Sequence, residues 1–227
     1  MWVLRACKER KARWFQTALH IRNAFDRTES FKFATVVQKK KGSEMKVDIF
    51  NTDNKYNIIY ADPPWTFKTY SNKGKEKKSA ENHYSCMKKE DIQKLPVRSI
   101  CADDCVLFLW VTFPCLEEGL ELIKAWGFTY KTCGFAWVKR NKKTDTWFWG
   151  LGYWTRSNVE LCLIATKGKP KRVSKSVHQV CDARIREHSR KPDEIRDKIV
   201  QLCGNLKRIE LFARQYADGW DCWGNEV

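Results

Sequence analysis

Residues 56–65 read Tyr-Asn-Ile-Ile-Tyr-Ala-Asp-Pro-Pro-Trp and are the most informative segment of the sequence about the fold. Its first part, Tyr56–Ala61, is a nearly continuous apolar run, which is typical of a strand buried in a parallel sheet. The run stops at Asp62, because the two prolines that follow restrict the backbone and remove two N–H donors. We therefore predict a buried strand that ends in a stiff, polar turn.

Strands and helices alternate along the chain after this stretch. Further strands are predicted at 105–111, 129–139, 159–166 and 208–213, and helices at 90–95, at 114–126 and from 192 to 203. Gly127 and Gly204 follow the last two helices, where glycine commonly ends a helix. This alternation predicts an α/β fold with a mainly parallel sheet.

The composition favours a folded protein with a polyanionic partner. The chain has 43 Lys+Arg against 27 Asp+Glu, a formal charge of +16, while 43% hydrophobic residues and eleven Trp provide a large core. This composition excludes a wholly disordered basic protein, and the charge points first to nucleic acid, with general solubility as the alternative. We expect no membrane partner, since no apolar stretch approaches the length of a membrane-spanning helix.

The ten cysteines favour reduced thiols over disulfides or zinc. They are spread along the chain without a C-x-x-C pair, and no His stands at zinc-ligand spacing from Cys101 and Cys105, so no metal is predicted. Several lie inside apolar runs, where free cysteine behaves as a small hydrophobe. Since the N-terminus lacks the pattern of a signal peptide, we expect a cytoplasmic protein.

The charge divides the chain into two predicted parts. Residues 1–45 hold 11 Lys+Arg against 4 Asp+Glu, a net +7, and residues 46–227 hold 32 against 23, a net +9. The first part is predicted to be a basic extension, disordered or dispensable, and the second a catalytic domain. A nucleic-acid-binding arm is the alternative interpretation of the extension.

The turn after the first strand has the groups that an exocyclic amine requires. In parallel sheets, ligands bind beyond the carboxyl ends of strands, which is where Asp62–Trp65 is predicted to lie. A carboxylate and a rigid carbonyl can accept both N–H bonds of one NH2 group, and Trp65 can stack on a planar ring. Such contacts favour an available lone pair on nitrogen and align the amine for attack. The alternative is a tight turn with a core tryptophan.

Asp62-Pro63-Pro64-Trp65 resembles the catalytic tetrad of the DPPW-type N6-adenine methyltransferases, the MT-A70-like family of the eukaryotic messenger-RNA enzyme and its phage and bacterial relatives. The resemblance covers roughly residues 46–227 and is most similar to the phage and bacterial branch. Further motifs occur in the family's order: Tyr84–Met87, Leu107–Thr112, Trp137–Lys139, Arg156–Glu160, His188–Glu194, Glu210–Arg214 and Trp223–Glu226.

This resemblance implies a Rossmann-like S-adenosylmethionine-dependent methyltransferase. The donor is then S-adenosylmethionine, the acceptor is the N6 amine of adenine, and the catalytic residues are Asp62, Pro63, Pro64 and Trp65. The implied cofactor-binding residues are Asp48, Ile49, Asp62, Lys191, Arg214, Gln215, Asn225 and Glu226. Lys191 suits the donor's carboxylate, because the start of a helix beside it also favours negative charge.

Two basic loops flank the predicted adenine pocket. The first contains Tyr84, which matches a family tyrosine that lines the adenine or donor pocket. The second begins at Lys139 and Arg140 and is followed by aromatic residues 147–149, a combination that suits a flipped or single-stranded base. We assign Trp65, Tyr84, Lys139 and Arg140 to substrate binding. The alternative for residues 147–149 is core packing, which we expect for at least one tryptophan.

DNA is the favoured substrate, which predicts a site-specific adenine-specific DNA methyltransferase. An RNA adenine methyltransferase has the same chemistry, and a non-catalytic nucleic-acid-binding partner subunit is a different class. The intact tetrad argues against the partner subunit. The resemblance also implies a homodimer or heterodimer as a possible assembly. His83 and His188 are not assigned as bases, since the proton released on methyl transfer can pass to solvent.

Overall fold

A seven-stranded β-sheet organises the protein. The computed structural model describes residues 45–65, 87–187 and 190–227, which lie in one unit, Lys41–Val227. The strands in chain order are β1 Tyr56–Ala61, β2 Cys101–Val111, β3 Thr129–Arg140, β4 Val159–Lys167, β5 Val180–Arg184, β6 Arg208–Leu211 and β7 Asp221–Trp223. In the sheet they lie in the order β5-β3-β4-β2-β1-β6-β7.

Among these strands, β4 alone runs against the others. β1 pairs in parallel with β2 and β6, β6 with β7, and β3 with β5. β4 pairs antiparallel with both β2 and β3. The predicted α/β fold with a mainly parallel sheet is therefore confirmed. Because β4 is reversed, its first residues lie at the same edge of the sheet as the carboxyl ends of β1 and β3.

Three α-helices connect the strands within the described residues. They are α1 Lys89–Gln93, α2 Leu116–Ala125 and α3 Glu194–Cys203, with 3-10 turns at Val97–Ile100 and Phe113–Cys115. Each lies within one or two residues of a predicted helix. α2 and α3 are each followed closely by a glycine with positive φ, Gly127 at 81° and Gly204 at 88°, as predicted for their C-termini.

Two predicted strand ends were wrong, and two strands were not predicted. β2 begins at Cys101, four residues before the predicted start at 105. β6 ends at Leu211 instead of 213, because Phe212 adopts a φ of 60° and leaves the extended conformation. No strand was predicted after β6, but β7 follows it. β5 and β7 escaped prediction because each is short and buries a single cysteine, so neither has a recognisable apolar alternation.

Helices cover both faces of the sheet, which explains the continuous apolar runs of β1 and β2. Alternate residues of each strand point to opposite faces. Ile59 and Leu107 lie in the same core cluster as Leu122 of α2. Tyr60, Phe108 and Trp110 lie in the opposite cluster with Ile195 and Ile199 of α3. With both faces covered, the edge formed by the strands' carboxyl ends is the exposed place where polar groups meet.

The described residues show neither a membrane span nor a metal cluster. No helix among them is both long and apolar enough to cross a membrane. No group of three or more His, Cys, Asp or Glu within 45–65, 87–187 and 190–227 could hold a metal ion. The eight cysteines of these ranges are all free, and seven of them are buried.

Candidate active site

The tetrad lies directly after β1, at the carboxyl edge of the sheet. The Trp65 amide donates to the Pro63 carbonyl at 2.8 Å and closes a tight turn. The Trp65 indole N–H donates to the backbone carbonyl of Trp110 in β2 at 2.9 Å. Trp65 is partly buried against the core, and the hydrogen bond to the neighbouring strand fixes the orientation of its ring.

Four alternating charges form an ionic network around Asp62, made of Asp62, Lys191, Glu160 and Lys139. The Lys191 ammonium lies 2.8 and 2.7 Å from the two carboxylate oxygens of Asp62 and 3.3 Å from Glu160. Lys139 donates to the other oxygen of Glu160 at 2.5 Å. These side chains are only 12–20% exposed. The network joins the ends of β1 and β3, the start of β4 and the residues before α3.

The charges of this network determine each other's protonation. Burial alone would lower the pKa of Lys191, but Asp62 and Glu160 outweigh it and raise the pKa above the ordinary value. Burial would likewise raise the pKa of Glu160, and the two lysines outweigh it and lower the pKa. Lys191 is therefore an ammonium and Glu160 a carboxylate at neutral pH. An ammonium cannot act as a base, so Lys191 does not receive a proton from a substrate.

A pocket opens beside the network on the side of β6. It is lined by Tyr60, Asp62, Arg190, Lys191, Arg196, Glu210, Phe212, Arg214 and Gln215. Arg196 binds the carboxylate of Glu210 with two hydrogen bonds, of 2.6 and 2.8 Å. Burial raises the pKa of Glu210, against the opposing effect of Arg196. The pairing fixes the Arg196 guanidinium in the pocket wall.

Asp193, just before α3, binds several arginine side chains in and beside the pocket. Its carboxylate accepts hydrogen bonds from Arg190 at 2.7 Å, Arg196 at 3.1 Å and Gln215 at 3.3 Å, and also from Arg186. Burial would raise the pKa of Asp193, but these arginines outweigh it and lower the pKa. Asp193 therefore fixes the positions of these pocket arginines, and its hydrogen bond also fixes Gln215, which lies 22 residues further along the chain.

Comparison with known proteins decides the family. The MT-A70 family model matches residues 56–226, from the start of β1 to the residues after β7. The chain belongs to the MT-A70 family of methyltransferases. The predicted resemblance is therefore confirmed.

The MT-A70 relatives include bacterial and eukaryotic proteins. The Type II methyltransferase M.MunI of a Mycoplasma species is 36% identical over 189 residues, covering 76% of this chain and 78% of that protein. The human N(6)-adenosine-methyltransferase catalytic subunit METTL3 is 31% identical over 179 residues, 76% of this chain and 28% of its own length. An MT-A70-like N(6)-adenosine-methyltransferase of Arabidopsis thaliana is 31% identical over 186 residues, which cover 80% of this chain and 25% of that protein. The chain thus spans about a quarter of the length of these eukaryotic relatives.

The MT-A70 fold brings only some of the predicted cofactor residues together. Asp62, Lys191, Arg214 and Gln215 line the one pocket described above. Asn225 and Glu226 are exposed after β7, and Glu226 lies 3.7 Å from Arg214. Their role in cofactor binding stays a prediction.

Asp48 and Ile49 lie in a turn before β1, apart from the described lining of the pocket. The Asp48 carboxylate is exposed and accepts the Phe50 amide at 3.0 Å and the Asn51 side chain at 2.6 Å. The Ile49 side chain is buried in the core. A contact of Ile49 with a cofactor would therefore involve its backbone, and this assignment also stays a prediction.

The predicted substrate residues have different surroundings. Lys139 is held in the ionic network. The Arg140 guanidinium binds Asp182 with two hydrogen bonds of 2.6 Å and lies 4.3 Å from the centre of the Trp147 ring. Tyr84, His83 and His188 lie outside the described residues, as do residues 1–44. Trp147 and Trp149 are 51% and 74% exposed, so the expectation that at least one of them packs in the core was wrong.

Sequence reasoning missed Glu160 and the Arg196–Glu210 pair. Glu160 belongs to a quoted motif, yet it received no role. The sequence feature that could have pointed to Glu160 is a carboxylate at the start of an apolar strand. Glu210 has the same feature, since it lies between Ile209 and Leu211. A charged residue inside such a run is seldom buried without a partner. The identity of each partner is set by the fold, not by a local pattern.

Proposed function

We propose that this chain is an S-adenosylmethionine-dependent methyltransferase that methylates the N6 amine of adenine in DNA. The observation that best supports this proposal is the position of Asp62. Its carboxylate lies at the carboxyl edge of the sheet, at the mouth of a cation-rich pocket and directly before the Pro63–Pro64 turn. The similarity to the bacterial M.MunI, which is named a Type II methyltransferase, supports DNA over RNA as the substrate of this chain.

Asp62 and the adjoining turn would hold the amine during the reaction. A carboxylate oxygen accepts more than one hydrogen bond, so Asp62 can bind Lys191 and the amine together. A backbone carbonyl of the Pro63–Pro64 turn accepts the second N–H, and the Trp65 ring stacks on the adenine. The nitrogen lone pair then forms a bond to the methyl carbon as the carbon–sulfur bond of the donor breaks. The extra proton of the nitrogen leaves to solvent.

The pocket residues fit the methyl donor that the family implies. S-adenosylmethionine supplies an electrophilic methyl group and presents a carboxylate and ribose hydroxyls. Arg190, Lys191 and Arg214 provide cations for a carboxylate or for hydroxyl oxygens, and Gln215 provides an amide. Within the part of the chain that the structure describes, the Nε of Arg190 is buried without a hydrogen-bond partner, so it is a donor for which a ligand oxygen can serve as the acceptor. These four residues would hold the donor.

Lys191 is best assigned to the orientation of Asp62. Its ammonium contacts both oxygens of the carboxylate and also lies 3.3 Å from Glu160, which Lys139 holds in turn. A fixed carboxylate presents the same acceptor geometry to each incoming amine, which lowers the entropic cost of alignment. Lys191 also borders the pocket, so a contact with the donor's carboxylate is compatible with this role.

Methyl transfer from a labelled donor to DNA and RNA of the same sequence tests the function. We expect label on DNA as N6-methyladenine, and its loss by at least ~100-fold in Asp62→Ala, with donor binding largely retained. Asp53→Ala is the matched control, since Asp53 is an exposed aspartate before β1. Full activity in Asp62→Ala would refute the mechanism.

Two other outcomes would identify the alternatives. Label on RNA alone would change the substrate and keep the chemistry, in agreement with the names of the eukaryotic relatives. Nucleic-acid binding without any methyl transfer would identify a non-catalytic partner subunit. Light scattering of the same sample distinguishes a monomer from the homodimer or heterodimer that the family resemblance implies.

A further inference from the structure

The loop between β3 and β4 exposes an unusual amount of aromatic surface. We call residues 147–154 of this loop the aromatic segment. Trp149 is 74% exposed, Tyr153 81% and Trp154 92%, and Leu151 between them is 71% exposed. Single exposed apolar residues are common, but a contiguous patch of this kind usually marks an interaction site.

The aromatic segment is held in a defined shape. Its start is anchored where the Phe148 amide donates to the Lys139 carbonyl at 2.8 Å. A side chain at Gly150 or Gly152 would collide with the carbonyl oxygens of Ser157 and Thr155, so the chain folds tightly back on itself there. The rings of Tyr153 and Trp154 lie at the bend, perpendicular to each other with centres 5.4 Å apart.

The aromatic segment adjoins the ionic network of the active site. The Lys139 ammonium lies 5.9 Å from the centre of the Phe148 ring, and the same group lies 2.5 Å from Glu160. Glu160 in turn contacts Lys191, which binds Asp62. The exposed rings therefore begin beside the groups that hold the catalytic carboxylate. A polymer that presents one unit to Asp62 would pass its neighbouring units along this loop.

The positive charge of the loop between β3 and β4 favours an acidic partner. The loop from 141 to 158 contains three basic residues, Lys142, Lys143 and Arg156, and a single acid, Asp145, which is paired with Arg184. Lys142 is paired with Glu187 at 3.0 Å, which leaves Lys143 and Arg156 as the exposed positive charges of the loop. A second copy of the chain, docked by the same patch, would bring these positive charges against each other. An acidic polymer is attracted instead, and flat exposed rings among cations are the contacts that bind bases.

The exposed rings of the aromatic segment favour unpaired bases over paired ones. In a duplex the faces of the bases are stacked on each other, so they are closed to a protein side chain. Bases in a single strand, or beside a flipped-out base, expose a face on which tryptophan or tyrosine can stack. The exposed rings at Trp149 and Trp154 therefore suit unpaired bases better than a closed duplex.

We propose that the aromatic segment binds unpaired bases next to the target adenine by stacking, so that this protein prefers single-stranded or locally opened nucleic acid. The proposal rests on the proposed function for the presence of a nucleic-acid substrate. It adds the structural state of that substrate and the residues that recognise it. Trp149 and Trp154 are the principal contacts, and the basic residues of the loop bind the phosphates.

Fluorescence anisotropy with the full chain and labelled oligonucleotides tests this proposal without any methyl donor. Trp149→Ala with Trp154→Ala should weaken binding to a single strand by ~10-fold or more, and binding to a closed duplex of the same sequence much less. The slope of log affinity against log salt should stay unchanged, because no charge is removed. Trp154→Phe should retain most of the affinity, since it keeps a flat ring.

Tyr130→Ala is the matched control. Tyr130 is 45% exposed and lies at the opposite end of β3, so its removal should leave both affinities unchanged. Lys142→Ala with Lys143→Ala should make the salt slope shallower and leave the preference for the single strand intact.

Three results would overturn the proposal. One is equal affinity of the double tryptophan variant and the original protein for the single strand, and a second is an equal loss for single strand and duplex. The third is a dimer that dissociates in the double variant while its affinity for oligonucleotides stays the same, which would assign the patch to a second copy. Stacking without any methyl transfer would instead refute the proposed function and leave this proposal standing.

Discussion

Among the single residues, Lys191 is a buried charge that two carboxylates, Asp62 and Glu160, stabilise. Burial by itself would lower the pKa of Lys191 and favour the neutral amine. Asp62 and Glu160 reverse that effect, because an ammonium between two carboxylates gains more from attraction than it loses from desolvation. Removal of one partner from such a group leaves a buried charge without compensation, which is strongly destabilising.

Glu160→Gln tests this balance through its pH dependence. The pKa of Glu160 is lowered from its ordinary 4.5 in the folded protein, so its contribution to stability is present above that value and is lost as pH falls through the folded pKa. We expect the variant to lose about 3 kcal/mol of unfolding free energy near neutral pH. The difference from the original protein should narrow below pH 4.5, as measured by urea unfolding.

The exposed Glu117 offers a matched control for this measurement. Glu117→Gln should change the unfolding free energy little, because an exposed charge contributes little to stability. A stability difference for Glu160→Gln that is the same in acid as at neutral pH would contradict the assignment.

At the scale of the element, α2 packs unusually close to the sheet. A Cβ atom at Gly119 would collide with the Cγ1 atom of Val111, which is buried in β2. Valine is stiff and cannot easily turn away from such a contact. Glycine therefore allows the helix to approach the carboxyl end of β2, the strand that also holds Trp65 through the carbonyl of Trp110.

Gly119→Ala separates packing from helix propensity. At a solvent-exposed position inside a helix, a change from glycine to alanine would stabilise the protein by about 1 kcal/mol. Here we expect a net loss of ~1–2 kcal/mol, because overpacking a tight contact costs more than the propensity gains. Thermal or urea unfolding measures the difference. Lys124→Ala, at an exposed position of α2, should stay within about 0.5 kcal/mol of the original protein, and a stabilised Gly119→Ala would contradict the close approach.

At the scale of the whole molecule, the positive charge has two separate locations. Of the net +16, +7 belongs to residues 1–45 and +9 to residues 46–227. Within the second part, the cations of the active site are largely compensated by Asp62, Glu160, Asp193 and Glu210. The charges available to a phosphate backbone are therefore those of exposed loop residues such as Lys143 and Arg156.

A chain that begins at Met45 tests the predicted division into two parts. It keeps the Met45 carbonyl, which accepts the Cys222 amide at 3.1 Å, and the Val47 amide, which donates to the Cys222 carbonyl at 2.9 Å. We expect unchanged methyl transfer and an unchanged salt slope of binding, as for a dispensable extension. A slope that becomes markedly shallower would identify residues 1–44 as a nucleic-acid-binding arm.

The sequence predicted those features that depend on neighbours along the chain. The run Tyr56–Ala61 coincides with β1, and α3 ends at Cys203 as Gly204 indicates, because apolar periodicity and helix-ending residues act over a few positions. The tetrad Asp62–Trp65 follows β1 for the same reason. The short strands β5 and β7 were missed, because partners elsewhere in the sheet stabilise them more than their own residues do.

Neighbouring residues are enough to predict an α/β protein with an acid–proline–proline–tryptophan turn at a strand end, because strand, turn and motif are adjacent along the chain. The surroundings of that acid depend on the fold instead. Lys191 lies 129 residues from Asp62 along the chain and still binds both of its oxygens. Glu160 joins them because β4 runs against its neighbours and begins where they end. The order and direction of strands set such contacts, and no local pattern encodes them.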